Sequence, residues 1–296
     1  MSQRRIAVAQ YPIDHFPTFG EFRDKLHRWV EEGIRADAEL LVFPEYGSME
    51  LASLFPEEVQ KSLPGQLSAL QELLPEFLEL HRELARQNHL HILASSFPVR
   101  VGERYVNRAH LFTPNGEVAY QDKCIMTRFE NEQWGISAGD SLQLFDTSMG
   151  KLGVTICYDV EFPLLTRSLV EAGAELILAP SCTDTDAGYH RVRIGAQARA
   201  LENQCHVAQA VTVGKAEWSE AVDVNMGAAA LYTPVDQGFP ANGIEAIGER
   251  EQPQWVVATV RLQQARKVRE QGQVFNHRDW PNQLKASARV QQVSLK

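Results

Sequence analysis

The sequence predicts an α/β protein in which parallel and antiparallel strands occur together. Short apolar runs rich in β-branched residues, such as residues 4–10 and 151–156, are typical of buried strands. Longer stretches with apolar residues three and four positions apart predict amphipathic helices between them. A Pro114-Asn115-Gly116 turn between two strand-like runs predicts an antiparallel hairpin. Because strand–helix alternation favours parallel pairing and a hairpin requires antiparallel pairing, the sheets should be mixed.

The individual elements follow from periodicity and from residues that end helices. Residues 66–88 show the strongest helical spacing of apolar side chains, with Pro75 able to kink the helix. A helix that opens at Pro163 is closed by Gly173. In order, the predicted helices are residues 20–36, 66–88, 162–172 and 189–203. The predicted strands are residues 4–10, 40–43, 91–95, 104–113, 117–123, 142–145, 151–156, 175–179, 205–213, 227–232 and 255–260.

Length and charge limit the function classes. The chain has 296 residues and a formal net charge of −9, which argues against general nucleic-acid binding and against attraction to an anionic membrane. No apolar run approaches the roughly 20 residues that a membrane-spanning helix needs. The N-terminal segment lacks the long apolar core of a signal peptide, so a cytoplasmic location is expected.

The domain organisation is predicted to be simple. The sequence contains no repeat, low-complexity block or long linker. We therefore expect one globular domain over residues 1–260, followed by an extension over residues 261–296. The extension carries a few apolar side chains among many charges, so it should pack on the domain or on a neighbouring subunit. A homodimer or higher homo-oligomer is expected on that basis.

The cysteines do not predict a metal site or a disulfide framework. Four cysteines occur at positions 124, 157, 182 and 205, without a CxxC pair or a zinc-binding spacing. The nine histidines also lack metal-ligand spacing, so neither a metal nor a cofactor is expected. Disulfides are improbable in a cytosolic chain of this size. The open question is whether one of these thiols is reactive.

Three reactive side chains occur where predicted strands end: Glu45, Lys123 and Cys157. Ligands of α/β sheets bind at the carboxyl ends of strands, so the three should converge on one pocket. A carboxylate can accept the proton of a thiol as the sulfur attacks a carbonyl carbon. A nearby ammonium favours both the thiolate and the oxyanion that follows the attack. At about 4 Å and an effective dielectric constant of about 20, two opposite unit charges attract by about 4 kcal/mol before desolvation is subtracted.

The segments around these residues resemble the nitrilase superfamily of carbon–nitrogen hydrolases. They are FPEYG, DKCIMTRFENEQWG and GVTICYDVEFP, in that order along the chain, with AELILAPS and ARALENQ further downstream. Each short motif is weak by itself, but the ordered set is specific, and the resemblance extends to about Val260. It implies a four-layer α-β-β-α sandwich with two mixed β-sheets. It also implies a Glu-Lys-Cys catalytic triad.

The resemblance also assigns roles. It implies that Glu45 is the general base and later the acid, that Lys123 stabilises the tetrahedral intermediate, and that Cys157 forms the acyl-enzyme. Many members use a second glutamate in the loop after the lysine, for which Glu130 and Glu132 both qualify. The family spacing favours Glu132.

Further substrate-contacting candidates adjoin these positions. Aromatic side chains could form a pocket wall, the backbone N–H after the nucleophile could bind an oxyanion, and polar residues after the strand over 175–179 could contact substrate. One position departs from the family pattern: Glu161 stands where many amidases of the family have arginine, which puts in doubt any substrate class inferred from those relatives. The substrate-binding candidates are Tyr46, Phe129, Glu130, Trp134, Tyr158, Ser181, Cys182 and Thr183.

The leading hypothesis is hydrolysis of a small linear amide through a cysteine acyl-enzyme, with release of ammonia or an amine. Nitrile or N-carbamoyl hydrolysis by the same triad is an alternative. A catalytically idle, nitrilase-like binding subunit is a second class of function. A papain-like Cys-His enzyme is weaker, because it leaves the glutamate and the lysine unexplained.

Overall fold

Fifteen hydrogen-bonded strands carry the mixed α/β fold in the computed structural model, which describes residues 3–295. They are β1 (Arg4–Pro12), β2 (Leu40–Val42), β3 (His91–Leu93), β4 (Phe97–Val101), β5 (Arg104–Phe112), β6 (Val118–Asp122), β7 (Ile136–Ser137), β8 (Leu144–Thr147), β9 (Gly150–Val154), β10 (Leu176–Ser181), β11 (His206–Lys215), β12 (Val224–Asn225), β13 (Ala230–Tyr232), β14 (Ile244–Ile247) and β15 (Gln254–Val260).

The α-helices lie between strands and, near the C-terminus, after the last strand. Short 3₁₀ helices follow β2 (Gly47–Leu54) and β9 (Cys157–Glu161). A third short 3₁₀ segment (Trp280–Asn282) lies near the C-terminus. The α-helices are α1 (Phe19–Arg35), α2 (Glu57–Gln60), α3 (Leu63–Leu70), α4 (Leu74–Gln87), α5 (Pro163–Glu171), α6 (Asp186–Asn203), α7 (Leu262–Gln271), α8 (Asn276–Asp279) and α9 (Gln283–Ser287).

Strand β1 joins the two halves of the sheet network. Its first part pairs in parallel with β2 and antiparallel with β15, whereas its last three residues pair in parallel with β11, with Gln10 opposite Val211. From β11 the parallel pairing continues through β10 to β9. The antiparallel pairs, including β5 with β6, lie around this parallel centre.

Alternation along β1 separates two hydrophobic clusters. Ile6 and Val8 belong to a cluster that also contains Leu152 of β9. Ala7 and Ala9 point the other way, into a cluster that includes side chains of α1 and α4. Residues of α5 and α6 also join the first cluster. Because both faces of β1 are buried, the strand is apolar along most of its length, as expected for a central parallel strand.

The strand directions bring several C-terminal ends to one edge. Strands β1, β2, β9, β10 and β11 are mutually parallel through their pairings. Strand β5 is antiparallel to β3, and β6 is antiparallel to β5, so β6 runs in the same direction as β2. The residues that follow β2, β6, β9 and β10 can therefore meet at a common edge.

The sequence-based elements agree with the structure in part. The hairpin around Asn115-Gly116 is confirmed, with Phe112 opposite Val118. The single helix predicted over residues 66–88 is wrong, because α3 and α4 are separate helices and Pro75 lies in the first turn of α4. Strands β4, β7, β12 and β14 were not predicted, since each has five residues or fewer and lacks a long apolar run.

The segment after β15 begins with α7, whose Leu262, Ala265 and Val268 are buried. Leu262 belongs to the same hydrophobic cluster as β9 and β10. The packing of this extension on a neighbouring subunit stays a prediction. Over residues 3–295, none of the helices combines the length and apolar character required to cross a membrane.

Candidate active site

Glu45 is held at the end of β2 by three hydrogen-bond donors. Its Oε1 accepts from Lys123 Nζ at 2.8 Å and from Asn107 Nδ2 at 2.8 Å. Its Oε2 accepts from the backbone N–H of Cys182 at 2.9 Å. The next residue, Tyr46, has a φ of 54°, in the left-handed region that non-glycine residues rarely adopt. The chain therefore turns sharply after Glu45 and leaves its carboxylate fixed in place.

Lys123, which directly follows β6, lies between two carboxylates. Its Nζ donates to Glu45 at 2.8 Å and to Glu130 Oε2 at 2.6 Å, and the lysine side chain is 1% exposed. Burial opposes the charge on this lysine, but Glu130 and then Glu45 outweigh it and raise the pKa of Lys123 well above its ordinary value. The ammonium is therefore charged near neutral pH.

Glu130, and not Glu132, occupies the place expected for a second glutamate. Besides Lys123, Glu130 accepts from Tyr46 Oη at 2.8 Å and from the backbone N–H and hydroxyl of Thr127, both at 2.9 Å. Glu132 is exposed and pairs with Arg128 at 2.7 Å, outside this cluster. The sequence-based preference for Glu132 is corrected by this geometry.

The reason for that correction is the local backbone. Residues Glu130–Trp134 form a single turn of π-helix, a rare conformation that is frequent at functional sites. This turn directs Glu130 and Trp134 inward and leaves the residues between them exposed. Spacing along the sequence cannot reveal such a turn, because it differs from both a helix and an ordinary loop.

Cys157 lies at the start of the 3₁₀ helix that follows β9. Its φ is 49°, again in the left-handed region, and the residue is 4% exposed. Its Sγ lies 3.5 Å from the carbonyl oxygen of Cys182. A non-glycine residue in this conformation is strained by about 1–3 kcal/mol and persists only where the surrounding contacts impose it.

The thiol and the Glu45 carboxyl influence each other's ionisation. Burial, and then the Glu45 charge, raise the pKa of the Cys157 thiol well above its usual value. Burial also raises the pKa of Glu45 to about 7, with Lys123 opposing the rise and Glu130 adding to it. The resting state is therefore a protonated thiol beside a carboxyl that can exchange a proton near neutral pH.

A cavity of about 360 Å³ opens beside these groups. Its inner part contains Glu45, Lys123 and Glu130. The predicted contact residues Tyr46, Phe129, Trp134 and Cys182 also line it, and the Tyr46 and Trp134 ring centroids are 4.6 Å apart. Cavities of this size suit small ligands. The other lining residues are Thr127, Arg128, Asp184, Arg191, Glu220, Ala221, Val222, Asp223 and Val224.

Three predicted contact residues do not line the cavity. The Ser181 hydroxyl donates to the carbonyl of Ala179 at 3.1 Å, and the Thr183 hydroxyl donates to the carbonyl of Met226 at 2.7 Å. The Tyr158 ring packs edge-to-face on Phe162, with centroids 4.9 Å apart. The Ser181 and Thr183 hydroxyls are thus engaged in local contacts, which does not support the expectation that they contact substrate. The role expected of Tyr158 is that of its backbone N–H, which its ring contact does not affect, and it stays a prediction.

Asn107 is a site residue that sequence reasoning missed. It lies within β5, is 0% exposed, and its Nδ2 is 2.8 Å from Glu45 and 3.4 Å from Glu130 Oε1. One amide thus contacts both carboxylates. The sequence carried little signal for this residue, since Arg104, Arg108 and His110 are polar residues of the same strand.

Glu161, which stands where many amidases of the family have arginine, lies near an arginine of another element. Glu161 lies at the end of the 3₁₀ helix, with Arg191 of α6 at 3.9 Å. Arg191 also lines the cavity. Burial raises the pKa of Glu161 above its ordinary value.

Over residues 3–295, no three His, Cys, Asp or Glu side chains are grouped so that they could hold a metal ion.

Comparison with known proteins adds the family context. The carbon-nitrogen hydrolase family model matches residues 5–269. The chain is 34% identical over 275 residues to a probable hydrolase of Bacillus subtilis, YhcX, covering 93% of this chain and 53% of that protein, so the chain spans about half the length of this relative. It is 25% identical over 281 residues to an omega-amidase of Xenopus laevis, covering 92% and 93% of the two chains.

A solved structure resembles it as well. This is an amidase from Nesterenkonia sp. AN1, in a mutant form whose active-site cysteine carries acrylamide joined by Michael addition. The likeness has a TM-score of 0.66 and 25% identity, and it covers 94% of this chain and 99% of the amidase.

Proposed function

The chain belongs to the carbon–nitrogen hydrolase family. From this premise we propose that it is an amidase-like enzyme that hydrolyses small linear amides through an acyl-enzyme on Cys157. The observation that carries the proposal is that Glu45 and Lys123 are buried at one small cavity, and that the buried Cys157 thiol contacts Cys182, which lines the same cavity and donates its backbone N–H to Glu45. Three such side chains would not be buried together for stability alone, because desolvating charges is costly.

The first half of the reaction forms the acyl-enzyme. As the Cys157 sulfur attacks the amide carbon, its proton passes to the Glu45 carboxylate. The carbonyl oxygen becomes an oxyanion, which the Lys123 ammonium and the backbone N–H of Tyr158 stabilise. When the C–N bond breaks, the Glu45 carboxyl returns the proton to the leaving nitrogen, and ammonia or an amine departs. A thioester to Cys157 remains.

The second half regenerates the enzyme. Glu45, again ionised, accepts a proton from a water molecule that attacks the thioester carbon. The resulting oxyanion is stabilised as before, and its collapse breaks the C–S bond. The Glu45 proton then returns to the sulfur, and a carboxylic acid is released. A carboxyl with a pKa of about 7 suits both proton transfers, because it gives and accepts protons with similar ease near neutral pH.

Glu130 supports the reaction by holding Lys123. Its carboxylate is 3% exposed, and although burial would raise its pKa, Lys123 lowers the pKa of Glu130 below its ordinary value. Glu130 is therefore charged while Glu45 exchanges its proton. We propose that this charge difference assigns the two carboxylates to different roles.

The size of the cavity and its aromatic wall support a small amide. Tyr46, Phe129 and Trp134 form an apolar side, whereas charged residues at the mouth include Arg191 and Asp223. The relatives that are omega-amidases act on amides, which supports the same substrate class here. Nitrile or N-carbamoyl hydrolysis by the same residues is the alternative that the assay must exclude.

The test is a panel of small amides, N-carbamoyl compounds and nitriles, assayed for ammonia release with purified protein. We expect turnover of at least one amide and none with Cys157→Ala. Turnover of nitriles or N-carbamoyl compounds alone would replace the amide assignment. No turnover of any compound, with normal folding, would favour an idle binding subunit.

Two further expectations, the layer arrangement and the oligomeric state, also remain proposals. Membership of the carbon–nitrogen hydrolase family supports a four-layer α-β-β-α arrangement with two mixed β-sheets, whereas the two hydrophobic clusters indicate only that helices cover both faces of β1. We also propose that the protein is cytoplasmic and forms a homodimer or higher homo-oligomer. Sedimentation analysis of the full chain would test the oligomeric state.

A further inference from the structure

The carboxylate of Asp159 binds backbone N–H groups from two separate loops. Its Oδ1 accepts from Ile125 at 2.7 Å and from Cys124 at 3.2 Å, and both residues come directly after the lysine. Its Oδ2 accepts from Ile156 at 3.2 Å, the residue directly before the nucleophile. Asp159 is 1% exposed. One buried carboxylate thus connects the loop of the lysine to the loop of the thiol.

The same residue also encloses the strained backbone of the nucleophile. The Asp159 N–H donates to the carbonyl of Ile156 at 3.0 Å, while its carboxylate accepts from the Ile156 N–H. Cys157 lies between these contacts, with its φ of 49°. A left-handed cysteine requires contacts that keep the chain from relaxing, and Asp159 supplies two of them.

We propose that Asp159 is a positioning residue, which fixes the Cys157 thiol relative to the Lys123 ammonium by binding the backbone beside each of them. This inference rests on the proposed function, because the two groups need a fixed separation only if they act together. Among residues 3–295, the hydrogen-bond partners of the Asp159 carboxylate are all backbone N–H groups. Asp159 therefore serves as an acceptor between loops.

The chemistry of the acceptor matters. An ionised carboxylate offers about four lone-pair sites on two oxygens, whereas an asparagine amide offers one oxygen and places an NH₂ group on the other side. In Asp159→Asn, the amide NH₂ would face the backbone N–H groups of either the lysine loop or Ile156, so one set of hydrogen bonds would be lost. In Asp159→Ser, the short hydroxyl can reach one loop at most. Both variants should release one loop from the other.

The experiment measures the thiol directly. Wild type, Asp159→Asn and Asp159→Ser are treated with iodoacetamide, and modification of Cys157 is followed by peptide mass spectrometry, per folded molecule. We expect the rate at Cys157 to fall in both variants, because the thiol moves away from the Glu45 carboxylate that accepts its proton. For a catalytic group displaced by about 1 Å the corresponding loss is about 100-fold. We expect kcat to fall similarly, while KM stays within about threefold.

The control is Asp122→Asn. Asp122 directly precedes Lys123 and is also partly buried, but its carboxylate accepts from the Arg108 side chain at 2.6 and 2.9 Å instead of from the two loops. It should lose some stability and keep the alkylation rate at Cys157. A folded Asp159 variant that alkylates at the wild-type rate would overturn the proposal, as would an equal loss in the control.

Two further readouts keep the proposal testable. If neither Asp159 variant folds, hydrogen exchange on the wild-type protein decides: the Ile125 and Ile156 amides should both be strongly protected, and rapid exchange at either would overturn the proposal. Alkylation requires no substrate, so it separates this inference from the proposed function. Slowed alkylation in a protein that hydrolyses no amide would leave the positioning role standing and remove the amidase proposal.

Discussion

Replacing Glu130 with Gln should shift the acid limb of activity to lower pH. Glu130 and Glu45 bind the same ammonium, at 2.6 and 2.8 Å, so their charged oxygens lie within about 5 Å of each other. At that separation and an effective dielectric constant of about 20, two negative charges repel by about 3 kcal/mol, which corresponds to about 2 pKa units. Part of this repulsion is screened by the lysine between them.

The direction of the shift follows from the causes acting on Glu45. Burial raises the pKa of Glu45 to about 7, the Lys123 ammonium lowers it, and the Glu130 charge raises it. Removing the Glu130 charge eliminates one of the effects that raise the pKa of Glu45. The Lys123 ammonium, which lowers that pKa, then pairs with the Glu45 carboxylate only. We therefore expect the acid limb, where Glu45 must lose its proton to act as base, to move down by at least about one pH unit.

The assay is the pH dependence of kcat/KM for ammonia release, measured from pH 5 to 9 on an amide found active in the panel. Glu132→Gln is the matched control, since Glu132 lies two residues away and is exposed in a pair with Arg128. We expect kcat in Glu130→Gln to fall about 100-fold, because the lysine loses its anchor. An acid limb that overlays the wild type, or one that moves in Glu132→Gln instead, would refute this account.

Three other perturbations test separate parts of the account. Cys157→Ala should keep the wild-type thermal midpoint within a few degrees and lose all ammonia release; residual turnover would show another nucleophile. Lys123→Met should destabilise the protein by about 3–5 kcal/mol in urea unfolding, because Glu45 and Glu130 lose a buried partner, and a loss below about 1 kcal/mol would contradict the buried ion cluster. Burial lowers the pKa of His110 to about 3. As the pH falls below about 6.5, this imidazole is therefore protonated in the unfolded state but not in the folded state. The wild type should therefore lose about 2 kcal/mol more than His110→Gln between pH 7 and pH 5, and parallel losses in urea unfolding would contradict this.

The residues at the ends of strands could be predicted from sequence. Glu45, Lys123 and Cys157 each come within three residues after a strand, and parallel strand directions bring such positions to one edge. The mixed α/β class followed from the same alternation of strands and helices, together with the Asn-Gly hairpin. These features are local, so short stretches of sequence contain them.

The parts that failed depend on contacts between distant residues or on uncommon backbone. Glu132 was preferred to Glu130 because spacing does not reveal the π-helical turn that directs Glu130 inward. Asn107 was missed because its role depends on a carboxylate 62 positions away. Ser181 and Thr183 were expected to contact substrate, but their hydroxyls bind nearby backbone carbonyls. Tertiary contacts decide these outcomes, and the local sequence does not contain them.

The most direct test of the central claim is to trap the covalent intermediate. The wild-type protein is mixed with an excess of an amide that it turns over, quenched in acid within milliseconds to seconds, and mapped by peptide mass spectrometry. The account predicts a mass increase equal to the acyl group on the peptide containing Cys157, absent from Cys157→Ala. An acyl group on Cys182 instead, or steady turnover with unmodified Cys157 at every time point, would contradict it.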